Sequence, residues 1–139
     1  MKAIKLFCLF LCLMMLPSCS ANYKSLDIDI IEEKSFFSDA KEQDGYVYYY
    51  CTLTLKNNTN EKKNIKLEGL FPEEYKKGII TFDKCYAVTV DGESDIVSIA
   101  ANSEIEQLEI VFTCKKSQNY TGTTLKENRL LPDISIIEQ

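Results

Sequence analysis

Hydrophobic and polar residues alternate along most of this chain from Leu26 onward. Leu26, Ile28 and Ile30 are interleaved with Asp27 and Asp29. In the stretch YVYYYCTLTL, Val47, Tyr49, Cys51, Leu53 and Leu55 share one face, with Tyr46, Tyr48, Tyr50, Thr52 and Thr54 on the other. The same period of two recurs at Ile65 and Leu67, at Tyr86, Val88 and Val90, and in DIVSIA. It returns at Leu108, Ile110, Phe112 and Cys114, and at Ile134 and Ile136. Successive side chains of a strand point to opposite faces, so each run reads as a half-buried strand. Seven short runs separated by turn-forming segments such as KNNTNEKK and DGESD predict an all-β domain, an antiparallel sandwich or barrel. No segment keeps a helical period beyond two turns.

Two short helical connections are expected between strands. FPEEYKKG places Pro72 where a first helical residue can be proline, acids early, lysines late and Gly78 at the stop. In TTLKENRLLP, Thr124 stands three residues before Glu127, the spacing of a capping box, and Pro132 ends the segment.

The front of the chain follows another pattern. Lys2 and Lys5 precede an unbroken apolar run of 11 residues, Leu6 to Leu16. As a helix that run spans only about 16 Å, roughly half of a bilayer's hydrocarbon thickness. A basic start, a short apolar stretch and small residues at its end are the parts of an export signal. Leu16-Pro17-Ser18-Cys19 resembles a bacterial lipobox. The resemblance covers the first 19 residues and implies cleavage before Cys19, whose thiol carries the lipid (palmitate-type acylation). Residues 1–18 are then a signal peptide, 19–25 the acylated cysteine and a linker, and 26–139 one domain. The simpler alternative is a secreted protein with a chance cysteine. From Cys19 to Leu26 there are seven steps, about 25 Å at full stretch, so the domain is expected close to the membrane.

Charge narrows the choice of partners. Without the two leader lysines, 14 basic residues face 21 acidic ones, a net of −7. Such a surface repels phosphate backbones, and nucleic acid is a poor partner. Attachment to a membrane is expected through lipid, which holds stably when two or more acyl chains are present.

The segments LTLKNNTNEKKNIKL and ANSEIEQLEIVF are similar to immunoglobulin-like domains of small bacterial lipoproteins. That resemblance implies an immunoglobulin-like β-sandwich and carries no function. The chain has no Trp to pack on a disulfide, and Phe112 stands where the antibody-type corner has Tyr.

Cys51, Cys85 and Cys114 remain after the leader, in a compartment where disulfides persist. Three cysteines allow three single bridges. Cys51 and Cys114 are both in phase with inward-facing runs, whereas Cys85 is out of step with Tyr86, Val88 and Val90. The expectation is a Cys51–Cys114 bridge with Cys85 left as a thiol, against the alternative of three small buried hydrophobes.

The chain has no histidine. This removes Ser-His-Asp and Cys-His nucleophiles and every His-containing zinc site. There is no Cys-x-x-Cys and no Gly-rich phosphate loop. The carboxylate pairs Glu73/Glu74 and Asp27/Asp29 would need a cleft to act as glycosidase groups; they read more simply as a helix start and a solvated strand face. No enzymatic activity and no cofactor are expected. Asp91, Glu93 and Asp95 in DGESD form a weak candidate for Ca²⁺, with a hairpin turn as the simpler reading. Tyr46, Tyr48 and Tyr50 form a candidate ligand face, since each ring offers apolar area and a hydroxyl; the alternative is that a loop such as EKSFFSDAKEQ covers them. The reading is a lipid-anchored, extracytoplasmic interaction module of the cell envelope, meeting an envelope protein or a glycan. The second reading is a small-ligand binder, of glycan or Ca²⁺.

Overall fold

The computed structural model describes residues 27–91, 94–122 and 130–139. The leader, the lipobox with Cys19, Glu93 and the capping-box segment 124–127 lie outside the described residues. Among these residues eight strands form: β1 (Ile28–Ile30), β2 (Phe36–Gln43), β3 (Tyr46–Asn57), β4 (Lys63–Leu70), β5 (Lys84–Thr89), β6 (Val97–Ile99), β7 (Glu104–Lys115) and β8 (Asp133–Glu138). A 3₁₀ turn (Glu32–Lys34) joins β1 to β2, and one short helix, α1 (Pro72–Lys76), follows β4. The helix expected at FPEEYKKG therefore forms, with Pro72 in its first turn and Gly78 (φ 69°) just beyond its end.

The expected immunoglobulin-like sandwich does not form. A sandwich needs two separate sheets, and here β5 joins what would be the two halves. Its Ala87–Thr89 pairs with Ile110–Phe112 of β7, while Lys84–Tyr86 pairs with Glu68–Leu70 of β4. The result is a single eight-stranded antiparallel sheet, curled until it is nearly a closed barrel. Its order is β1-β3-β7-β5-β4-β6, with β2 also on β3 and β8 also on β4. Ile65 pairs with both Val97 and Glu138, so β6 and β8 flank β4 on opposite sides. The sheet thus ends in β1 and β2 at one edge and β8 at the other.

Inward residues of β3 and β7 fill the barrel: Tyr49, Leu53, Leu55 and Phe112 are 0% exposed. Phe71, carried by the β4–α1 corner, stacks on Tyr49 at 4.6 Å between ring centroids and meets Phe112 edge-on at 5.5 Å. Gly69 makes room for this cluster, because a Cβ there would come within 2.8 Å of both Phe71 and Phe112. Asn57 is a fully buried polar exception. Its amide donates to the carbonyls of Glu61, Ile99 and Ala100, and its oxygen accepts from the backbone and hydroxyl of Thr59. Every polar atom of that side chain is satisfied, which is what its burial requires.

Strand β2 falls where a covering loop was considered. Phe37 and Ala40 point inward, but a bulge between Phe37 and Asp39 interrupts the alternation and hides the strand from a period-two reading. Asp44 and Gly45, both at positive φ (52° and 80°), make the two-residue turn into β3.

Candidate functional site

The cysteines pair differently from expectation: the bridge is Cys85–Cys114, with Cα atoms 5.6 Å apart, and Cys51 is a buried free thiol. Strand register explains the correction. Cys51 sits opposite Ile110 on β7, and Cys114 sits opposite Val47. Four residues of strand separate Ile110 from Cys114, about 13 Å, twice the span a disulfide tolerates. Ala87 faces Phe112, so continuing the antiparallel register by two residues sets Cys85 directly against Cys114. The phase assigned to β5 was also off by one: Cys85 and Ala87 face inward, and Tyr86 faces out at 57% exposure. Burial pushes the Cys51 thiol up to about 12, so it is protonated and unreactive at neutral pH.

The tyrosine stripe lies where alternation placed it. Tyr46 is exposed, and Tyr48 and Tyr50 are half-buried on the outer wall of β3. Strand β2 runs beside this stripe in the same sheet and does not cover it, although Lys41 from β2 reaches over the Tyr50 ring at 5.1 Å. On the other side, Tyr50 lies opposite Val111, which lies opposite Val88. Tyr86, two residues from Val88 on the same face, extends the patch. Outer-face apolar residues on three adjacent strands therefore make one aromatic wall. That wall includes a residue the sequence reading had turned inward. Tyr46 borders an open depression of about 390 Å³ with Lys116 and Tyr120, and Tyr50 borders a separate one of about 200 Å³ with Asp39 and Glu109. The rings therefore share a face rather than a single pocket.

The described residues on either side of the acidic segment are engaged by the backbone and by Lys66. Thr89 N–H donates to the Ser94 carbonyl at 2.9 Å, and the Asp95 carboxylate is paired with Lys66 at 2.7 Å. The Lys66 hydrogen bond holds the Asp95 carboxyl below the usual range. Asp91 and Asp95 are both exposed, and among the described residues no group of three or more possible ligands is placed to hold a metal.

The carboxylate pairs also have plain structural positions. Glu73 and Glu74 open α1, and Glu73 is paired with Lys76. Asp27 and Asp29 lie on the rim of a groove of about 930 Å³ between β1 and β8. Asp27 shares Lys63 with Glu138 (3.8 and 3.0 Å), and Asp29 accepts from the Asn58 amide at 2.6 Å. This groove was not legible in the sequence, since it exists only where the two ends of the curled sheet meet. No protein-family model, curated protein or solved structure matches the chain.

Proposed function

We propose that the chain serves as a lipid-anchored, extracytoplasmic, non-enzymatic interaction module of the cell envelope. The observation that carries the reading is the aromatic wall on the outer face of adjoining strands, where Tyr46 and Tyr86 are exposed and Tyr48 and Tyr50 half-buried beside Val88 and the buried Val111. Exposed tyrosines supply contact area at low entropic cost and keep a polar tip for water or a partner. The Cys85–Cys114 bridge supports an oxidising compartment, and Leu16-Pro17-Ser18-Cys19 supports lipid attachment at Cys19.

Two experiments test the two halves of this reading. Cys19→Ala is expected to release the protein from membranes or to leave the precursor uncut; normal maturation with unchanged membrane partition refutes the anchor. A photo-crosslinking residue at position 48 or 86 is expected to give a discrete envelope-protein adduct in cells, whereas one at Lys77 gives none. Equal yield from all three positions, or none from any, removes the wall as the interaction face.

A further inference from the structure

The groove between β1 and β8 is the place where the barrel fails to close, and its walls are strand edges. Among the described residues, strand β1 pairs only with β3, and β8 only with β4. Ile31 N–H donates to the Thr54 carbonyl, and Asn58 N–H to the Asp27 carbonyl. Odd-numbered residues of β1 therefore bond to β3, and the backbone groups of Ile28 and Ile30 point across the groove. Likewise, Gln139 N–H donates to the Asn64 carbonyl. By the same alternation, the backbone groups of Ile134, Ile136 and Glu138 point away from β4 toward β1. Two rows of ladder donors and acceptors thus face one cleft without meeting.

The side chains around these edges divide by chemistry. Ile28, Ile30, Ile134 and Ile136 pack toward the core and floor the groove, while Asp27, Asp29, Glu32, Glu33 and Glu138 stand on its rim. The cleft, about 930 Å³, falls in the range of ligand sites but is open along its length. Free edges, an apolar floor and an acidic rim together fit an extended chain with alternating apolar and basic side chains. A second copy of this protein does not fit them. A second β8, DISIIE, carries Asp133 and Glu138 and no cation, so it would bring further negative charge to a rim that is already acidic.

We propose that this seam is a strand-addition site that takes an extended segment of another protein, its outward positions basic and its inward positions apolar. The segment adds to the β8 edge, where six residues are available against three on β1. Its cations meet the carboxylates of the rim. The site is separate from the aromatic wall and does not depend on it.

The test uses the full chain in a neutral detergent and a synthetic peptide of about six residues alternating Lys and Val, the length of a typical strand. Binding is expected to slow amide exchange at Ile134, Ile136 and Glu138 at least tenfold. It should weaken at least tenfold when Glu replaces Lys in the peptide, and weaken with added salt. Ile136→Pro removes an N–H that faces the groove and spares the β4 ladder; it is expected to abolish binding with the fold retained. If that variant unfolds, Glu32→Lys with Glu33→Lys at exposed rim positions carries the test, with at least a tenfold loss expected. The proposal is overturned if an alternating Lys-Gly peptide binds as well, since charge alone then suffices. It is equally overturned by protection appearing at Tyr46–Tyr50, by protein dimerisation through β8 without peptide, or by no binding.

Discussion

The two sides of this barrel are built to different standards. Along β3, β7 and β5, ten residues of β3 are in register with β7, the inward side chains from Val47 to Leu55 and at Ile110, Phe112 and Cys114 are buried, and a disulfide staples β5 to β7. At the β1–β8 side no ladder among the described residues closes the sheet. There Lys63 holds one end of the gap through Asp27 and Glu138, and Ile30, Ile134 and Ile136 are only half-buried. The stapled side is expected to carry most of the stability of the domain. The other side leaves backbone groups available, and a protein that needs to bind can keep such an edge only if the opposite wall supplies the fold.

This contrast can be broken most forcefully from the stapled side. Phe112→Ala is expected to cost about 3–5 kcal/mol in denaturant unfolding, because it removes a fully buried ring from the Tyr49–Phe71 cluster. Ile134→Ala at the seam should cost less than half as much, since the side chain is only partly buried. Equal losses would mean the two sides are not different in kind. Next in size is the bridge. Cys85→Ala with Cys114→Ala opens a sequence separation of 29 residues and is expected to cost about 3–4 kcal/mol on the chain-entropy model. Peptide mapping of the oxidised protein should show Cys85 joined to Cys114 and Cys51 alkylated only after unfolding. A Cys51–Cys114 peptide would overturn the strand register described above.

Much of the fold was legible because alternation reports burial directly. The inward set from Val47 to Leu55 is buried, as are Ile110, Phe112 and Cys114, with Leu108 packed against them. Thr52 and Thr54, read outward, are buried as well, Thr54 by bonds to Ser35 and Lys34. Pairing partners were not legible, because a period of two says which face a residue occupies and nothing about which strand lies beside it. That is why a barrel was read as a sandwich. Strand β5 was misphased for a related reason: Tyr86 and Val88 are apolar yet face outward, so both faces of the strand look like core. Cys85 was assigned to the outside with them. The tyrosine stripe was correctly placed by phase, whereas its extension to Tyr86 and the whole β1–β8 groove depended on contacts between distant segments.

Smaller effects sharpen the comparison. Gly69→Ala forces a Cβ into Phe71 and Phe112 and is expected to cost about 1–3 kcal/mol, read as a lower melting temperature. The Lys63 ammonium is held above the usual lysine value chiefly by its hydrogen bond to Glu138. A raised folded-state value means that this contribution is present below the ordinary lysine value and is lost as pH rises through the raised one. Glu138→Gln should bring the Lys63 titration, followed by side-chain NMR, back toward that of an ordinary lysine. The stability change at neutral pH should be slight, as for exposed ion pairs generally. No movement of the titration would detach Lys63 from the end of the seam.

The position of β1 has a mechanical consequence. A pull applied at the front of the chain enters through a strand of three residues at the sheet margin, whose bonds to β3 can give way one after another like a zip. The crosslink between β5 and β7 lies on the far side of β3 from that point. If the chain is anchored as proposed above, tension is expected to strip Ile28–Ile30 from β3 first while the cystine-linked strands stay folded.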